Sequence, residues 1–407
     1  MATFQDVNSM SAIKVDADPR PLDIHFYVSL VHEQGTYFRF HNLARGLREL
    51  GHSVNVYGVD TQANAMKRSE DREGVHYHIL PESWKVSLFS AGSHPMTALR
   101  RAMRRAPRCD VAHLFQPFLG AAIEWRLANS PVKVFDWDDR WTGGLFGPRP
   151  TSFRDRWPRA WVRHLENTLP AVADHVTVVS DYLGAMARDR KAKGISIVEN
   201  GFWPAPYPDR LAARRRLGLR DDAIYVGFMG RTTRELAWCF EEVERLSQRF
   251  PSLRMAVCGV ANSELSIGSS DLASRLDNLG QLSHSAARDF AAAIDLGLLP
   301  LENTDFNQSR FPIKFCEHLA TGNFLLCSEI GEVGRLVRDF SWAIAAGTTR
   351  TDWRQAFELT IERLASGVRP TPELKRFAER MSWLTLSRRM EGIYRAIGRG
   401  KVMRQAV

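Results

Sequence analysis

No two of the five cysteines, Cys109, Cys239, Cys258, Cys316 and Cys327, form a CxxC pair, and most fall inside apolar runs. That spacing argues against a zinc ribbon or a disulfide scaffold and marks them as reduced packing residues. Also lacking is any uninterrupted run of about 18 apolar residues, the length a membrane span demands. The first 23 residues carry Asp6, Asp16, Asp18 and Asp23 and have no apolar signal-peptide core, so the expectation is a cytoplasmic chain with no span. Neither a GxSxG elbow nor a Walker lysine loop occurs, which leaves nucleophilic hydrolase and P-loop readings without support. His76 and His78 would share one strand face, but no third ligand accompanies them and no metal is assigned. There is no low-complexity tract and no large block of one charge. The net charge of +9 is spread evenly, with 26 basic and 22 acidic residues up to position 205 and 29 and 24 beyond it. A diffuse excess of that kind suits anionic ligands or an anionic membrane surface better than a nucleic acid, which would call for a clustered stripe.

What remains is an ordinary globular composition, 44% hydrophobic and 25% charged, in a chain of 407 residues. Domains of about 150 to 200 residues make two the natural count. Strand-like runs alternate with helix-period segments from end to end, the pattern of parallel α/β layers. Ile24 to Leu30 is a β-rich run, followed by Gly35, then Phe38, Leu43, Leu47 and Leu50 on one helical face, then the strand Ser53 to Tyr57. Further strands are expected at Val111 to Phe115, Val132 to Phe135, His175 to Val179 and Ser196 to Val198. The prolines of Trp203-Pro-Ala-Pro-Tyr-Pro208 break the pattern and mark a linker. A second alternation follows, through Ile224 to Met229, Arg254 to Cys258, Leu296 to Leu299 and Phe324 to Cys327. The predicted division is an extension over 1–23, Rossmann-like domains over 24–205 and 206–380, and a closing helix over 381–407. Arg100, Arg101, Arg104 and Arg105 lie on a predicted helix whose other face offers Met96, Leu99 and Met103. Such a helix is either a solvated outer layer of the first sheet or a peripheral contact with anionic lipid at the inner face of a membrane.

Two mononucleotide-type domains leave a crevice at the carboxyl ends of their strands, where loop amides and helix starts hold a diphosphate. Gly35 sits in the first βα turn and allows close backbone approach. Arg231 follows Gly230 at the end of the strand that opens the second domain, placed for bidentate bonds to phosphate. The segment from Asn307 to Asn323 contains Ser309, Arg310, Ile313, Lys314 and Glu317. Pro312 fits a first helical turn, so the amides of Ile313 and Lys314 would face the crevice as an anion site. Glu317 lies deeper, where its carboxylate would meet vicinal hydroxyls or simply face solvent.

The stretch Gly35-Thr-Tyr-Phe-Arg-Phe-His-Asn-Leu-Ala-Arg-Gly-Leu-Arg-Glu-Leu-Gly-His-Ser-Val54 resembles the opening signature of family 4 glycosyltransferases. Other pieces keep that family's order: Asp110 to His113, Ala173 to Ser180, Val198-Glu-Asn-Gly201, Gly227 to Arg231, Leu279-Gly280, Asp295 to Pro300, the Glu317 segment, Gly331 to Leu336, and Ser382-Trp383 before a helix with Tyr394. The resemblance covers residues 24 to 396 and implies a GT-B fold, two Rossmann-like domains facing across a cleft. It implies a retaining sugar-nucleotide transferase whose co-substrate is a nucleoside diphosphate sugar, with no other cofactor required and the acceptor unknown. Gly35 and Arg231 would meet the diphosphate, Glu317 the ribose, and the base would lie between the loops around Gly259 and Gln281.

Three departures stand out. Leu236 replaces the family's second phosphate-binding lysine, which Arg234 or Lys314 would have to replace. Ser309 replaces its first glutamate. Asp136 and Asp138, within Phe135-Asp-Trp-Asp-Asp139, stand where many members place a catalytic histidine. The same segment resembles the metal-binding DxD motif of the other glycosyltransferase fold, which would leave the doubled α/β pattern unexplained. Surface capping is a third reading of Asp138 and Asp139. Functional alternatives are a sugar-nucleotide epimerase of the same fold and a degenerate binding or partner protein.

Overall fold

The computed structural model describes residues 20–62, 66–82, 94–104, 106–143, 153–230, 236–261, 265 and 269–405. The first half runs β1 (Asp23–Leu30), α1 (Tyr37–Glu49), β2 (Ser53–Asp60), β3 (Arg68–Arg72), β4 (Val75–Pro81), α2 (Pro95–Met103), β5 (Val111–Phe115), α3 (Leu119–Leu127), β6 (Val132–Trp137), α4 (Phe153–Val172), β7 (His175–Val178), α5 (Asp181–Asp189) and β8 (Ile195–Ile197). The second runs α6 (Arg210–Leu217), β9 (Ile224–Met229), α7 (Leu236–Ser247), β10 (Leu253–Cys258), α8 (Ser270–Arg275), β11 (Leu276–Asn278), α9 (His284–Ala293), β12 (Leu296–Leu299), α10 (Asp305–Ser309), α11 (Ile313–Ala320), β13 (Phe324–Cys327), α12 (Gly331–Leu336) and β14 (Ala343–Ala345). Three helices close the chain: α13 (Arg350–Ala365), α14 (Leu374–Met381) and α15 (Trp383–Gln405).

The strands form two sheets, ordered β3-β4-β2-β1-β5-β6-β7-β8 and β11-β10-β9-β12-β13-β14. Every described pairing is parallel except β3 with β4. Central parallel strands carry helices on both faces, which is why β12 and β13 read as unbroken apolar runs and are buried throughout. In each sheet the strand order reverses beside the first strand, between β1 and β5 and between β9 and β12. Those reversals open the crevices where ligands of α/β sheets bind. This is the α/β GT-B architecture expected from the sequence. No helix among the described residues is long and apolar enough to cross a membrane.

The halves meet along one edge, where the chain crosses twice. Residues 203–209 have no regular structure, and beside them the chain returns: Phe202 N donates to Met381 O (3.1 Å) and Trp383 N to Phe202 O (2.9 Å). Helix α15 then lies against α1, with the Ser387 hydroxyl donating to Leu43 O at 3.2 Å. Gly46 faces Ser387 so closely that a Cβ there would overlap it, so the crossing requires a glycine. The Tyr394 hydroxyl further anchors α15 by sharing a 2.6 Å hydrogen bond with His113 Nδ1 in β5. Burial pulls the His113 imidazolium pKa down to about 3, so this ring is neutral.

A buried ion pair ties α1 to the first sheet. Arg39 Nε and Nη2 donate to Asp136 Oδ1 and Oδ2 at 2.7 and 2.8 Å, and Thr177 Oγ1 donates to Oδ2 at 2.6 Å. Arg39 Nη1 donates to Glu199 O and Asn200 Oδ1, both at 3.1 Å. Replacing Arg39 alone strands the Asp136 charge in a dry site. We expect Arg39→Met to destabilise the protein by about 3–5 kcal/mol, and Arg39→Met combined with Asp136→Leu to recover much of that loss, measured by urea unfolding.

Candidate functional site

The first-half wall of the cleft is acidic. Gly35 follows β1 at φ +56° with no atom within 4 Å of where a Cβ would stand, leaving open space over the loop. Thr36 precedes α1 but does not cap it; its hydroxyl instead donates to Asp138 Oδ2 at 2.6 Å. Asp138 Oδ1 and Asp139 Oδ1 are buried atoms without a hydrogen-bond partner among the described residues. Burial first, then the neighbouring Asp136, pushes the Asp138 carboxyl up to about 6. Burial and then Asp138 push Asp139 up to about 7. Asp136, expected here as a catalytic group, is fully buried and both its oxygens are taken by Arg39 and Thr177. That removes it from the cleft surface and takes one carboxylate away from the DxD reading.

The second-half wall presents two positive-φ glycines, an ammonium and a helix start. Gly230 ends β9 at φ +145°, and the Lys314 ammonium lies over it where a side chain would otherwise stand. Gly259, at φ +82°, ends β10 so near that a Cβ would lie 2.9 Å from Gly230 O. Helix α11 starts after Pro312, which occupies the cap position rather than the first turn, and no side chain caps it. Beyond Gly259 a cavity of about 360 Å³ is lined by Val260, Ala261, Asn278, Leu279, Gly280 and Gln281. Glu317 lines a smaller one of about 70 Å³ together with Phe38, Asn42, Trp203, Tyr207 and Ile313. So Gly259, Gln281, Ile313, Lys314 and Glu317 all border the cleft. Ser309 does not present its side chain there: it is fully buried, its hydroxyl donates to Phe306 O and its carbonyl accepts from Ser180 Oγ at 2.6 Å. Arg310 stacks over Phe306 at 4.7 Å and exerts its charge on Asp139 across the cleft. Arg231 and Arg234 lie outside the described residues. Leu236, in the place of the second lysine, is 1% exposed and belongs to the core.

At one sheet reversal the Gly35 loop meets Asp138, which follows β6, through Thr36; at the other, Gly230 lies under the Lys314 ammonium of α11, near a cavity of about 360 Å³. Comparison with known proteins agrees with that geometry. Residues 34–201 match the model of the glycosyl transferase 4-like domain. The putative teichuronic acid biosynthesis glycosyltransferase TuaH of Bacillus subtilis is 22% identical over 381 residues, spanning 87% of this chain and 92% of that protein. The fold is shared with sucrose-phosphate synthase of Thermosynechococcus elongatus, at TM-score 0.67 and 16% identity over 92% of this chain and 99% of that one. Anabaena HepE in complex with UDP-glucose gives TM-score 0.62 and 14% identity over 92% and 100%. This chain is a glycosyltransferase of the GT-B fold.

The transferase also uses residues that the sequence did not single out. Asn200 bridges the halves: its Oδ1 accepts from Arg39 and its Nδ2 donates to Phe311 O at 2.6 Å, just ahead of α11. Gln116, at the end of β5 beside the first reversal, holds φ +73°, a conformation a non-glycine residue adopts only when its surroundings impose it. Both sit at strand ends, a signal a topology-aware reading of the chain carries. Arg101 and Arg104, expected as membrane contacts, turn inward instead. Arg101 is fully buried, lies 2.9 Å from Glu124 and donates to Val28 O; Arg104 Nε donates to Glu124 at 2.6 Å. A buried glutamate on α3 thus claims both, and Met96, Leu99 and Met103 face outward. Arg105 lies outside the described residues.

At Gly230, alanine would displace the Lys314 ammonium and strain the backbone. We expect Gly230→Ala to weaken binding of a nucleoside diphosphate by roughly 10- to 100-fold, the value of one or two charge-assisted hydrogen bonds, while circular dichroism stays native. Isothermal titration calorimetry measures it.

Proposed function

We propose that this transferase is a retaining enzyme of family 4, moving a glycosyl group from a nucleoside diphosphate sugar to an acceptor hydroxyl. The observation that carries the reading is the meeting of Gly230, Lys314 and the start of α11, with Arg310 just ahead of that helix acting on Asp139 of the first half. In this reading residues 24–205 form the acceptor side, 206–380 the donor side, and 381–407 the helix that returns to the first. The donor base occupies the cavity from Val260 to Gln281, Glu317 takes the ribose hydroxyls, and Lys314 with Arg231 holds the diphosphate. UDP-glucose in the similar Anabaena structure supports a donor of this class. All five cysteines are free and buried, which supports a reducing, cytoplasmic setting.

The chemistry follows from charge placement. The bond from the sugar's anomeric carbon to the diphosphate oxygen breaks as the acceptor oxygen bonds to the same face of that carbon, and the acceptor proton passes to the departing diphosphate. Lys314 and Arg231 stabilise the charge that develops on the leaving group. Asp138 and Asp139, each with one oxygen unpartnered among the described residues, accept from the acceptor hydroxyl and orient it, taking the polar role of the family's histidine. Closure of the cleft keeps water from the donor.

Leu236 in the core motivates a second reading, a partner protein that binds the donor without turning it over. A thermal-shift screen against nucleoside diphosphates and their sugars separates these, because a ligand bound to the native state raises its melting temperature. We expect a shift with one base, lost in Arg231→Ala and Glu317→Ala. Donor consumption with glycoside formed, its anomeric configuration read by NMR, supports retaining transfer; consumption without glycoside means an epimerase, and a shift without consumption the partner protein.

The acidic pair adds a pH signature. Carboxylates raised to about 6 and about 7 lose charge as pH falls, so kcat/KM drops as pH goes from 8 to 5, and Asp139→Asn removes the upper part of that profile. Stability runs the other way: because the folded-state pKa values exceed the ordinary carboxylate value, the stability tied to protonation is present at low pH and lost as pH rises through 6 to 7. Asp139→Asn should therefore melt higher than the parent at pH 8.

A further inference from the structure

Of the twelve large apolar side chains exposed among the described residues, seven stand on α2, α3 and α4. Met96, Leu99 and Met103 line the outside of α2, Leu127 ends α3, and Trp157 and Trp161 stand one turn apart on α4. Met103 is 71% and Trp157 55% exposed. Exposed apolar side chains concentrated on one layer mark a contact surface. These helices follow β4, β5 and β6 and cover one face of the first sheet, with α3 packed between the other two. Among the described side chains, the exposed charge on this layer has one sign. Arg100, Arg126, Arg156 and Arg163 are exposed, whereas the acidic residues of the three helices whose side chains are described, Glu124 and Glu166, are each 2–3% exposed and engaged inside. Elsewhere the pattern differs: on α13 the exposed Leu359 sits beside Glu358 and one turn from Glu362.

We propose that the outer layer α2–α3–α4 docks on an anionic lipid bilayer, its indole and thioether side chains entering the headgroup boundary and its arginines meeting lipid phosphates. Indole rings and arginines are the side chains suited to that boundary, and basic side chains near it are drawn to its negative surface. Helices that follow parallel strands begin at the carboxyl ends of those strands, so the first turns of α2 and α4, carrying Met96 and Trp157, stand on the cleft side of the layer. Docking there brings the cleft mouth to the membrane. The acceptor class that follows is an amphiphile with its hydroxyl at headgroup level, and that part alone rests on the transferase reading above. A second copy of the chain is the rival occupant, but it would bring one basic layer against another.

The test is co-sedimentation of the full chain with vesicles of phosphatidylglycerol and phosphatidylcholine in equal parts, against phosphatidylcholine alone. We expect binding to the anionic vesicles only, weakened by salt and blue-shifting the tryptophan emission. Trp157→Ser with Trp161→Ser, and separately Arg100→Glu with Arg163→Glu, should each lower the partition coefficient about tenfold or more, while Leu359→Ser leaves it unchanged. Retained melting temperature and donor-induced thermal shift in each variant separate a lost surface from a lost fold or a failed donor site. No binding to anionic vesicles, equal binding by the variants, or a dimer seen by light scattering that the same variants dissolve would overturn the proposal.

Discussion

Everything at the cleft is referred to one buried contact, the two-pronged bond between Arg39 and Asp136. Moving these two charges out of water costs several kcal/mol for each ion, so a pair like this one fixes geometry more than it adds stability. Here both carboxylate oxygens and all three guanidinium nitrogens are engaged. The planar fork leaves α1 one position on β6, which in turn sets Thr36 against Asp138 and Gly35 at the cleft edge. Through Asn200 the same guanidinium reaches Phe311 and the start of the second half's anion-binding helix. The two walls are thereby registered to each other by polar bonds that tolerate little play.

The walls differ in sign for a reason. In the transfer proposed above, a donor diphosphate leaves with more localised charge than it brings, so cations belong on its side. The acceptor must give up a proton, so hydrogen-bond acceptors belong on the other. Burial makes both expensive: it pushes the Asp138 and Asp139 carboxyls up to about 6 and about 7, and Lys314 lies over a glycine where any side chain would displace it. Such a site stores strain and electrostatic tension that the rest of the two cores must offset.

Much of this was legible in the sequence, and the remainder has physical causes. The long apolar strands β1, β5, β6, β9, β10, β12 and β13 declared themselves because burial on both faces forces unbroken apolar runs. β3, with the sequence Arg-Ser-Glu-Asp-Arg, gave no such signal; it is an edge strand tied to β2 by the ion pair of Arg68 with Asp60. β11 and β14, three residues each, are too short to show a period. Gly35, Lys314 and Glu317 could be nominated from the sequence because strand-to-helix turns stand where chain order can be read. Asp136, Ser309 and Arg101 were misplaced for one shared reason: a polar residue in a motif looks alike whether it faces a ligand or a buried partner. Only the partner's position decides, and Arg39, Ser180 and Glu124 lie 97, 129 and 23 positions away respectively.

The double crossing at Phe202 and Trp383 carries its own mechanical meaning. A single linker would let one half swivel about a point in any direction. Two adjacent backbone segments, clipped to each other by hydrogen bonds on either side of Phe202, act as paired pins and leave bending about one axis as the soft motion. Two further bonds join the halves away from that spine, Ser180 Oγ to Ser309 O and Asp181 N to Glu332. The enzyme's halves therefore resemble the leaves of a book with a stiff spine, so a substrate is met by the same pair of facing residues at every turnover.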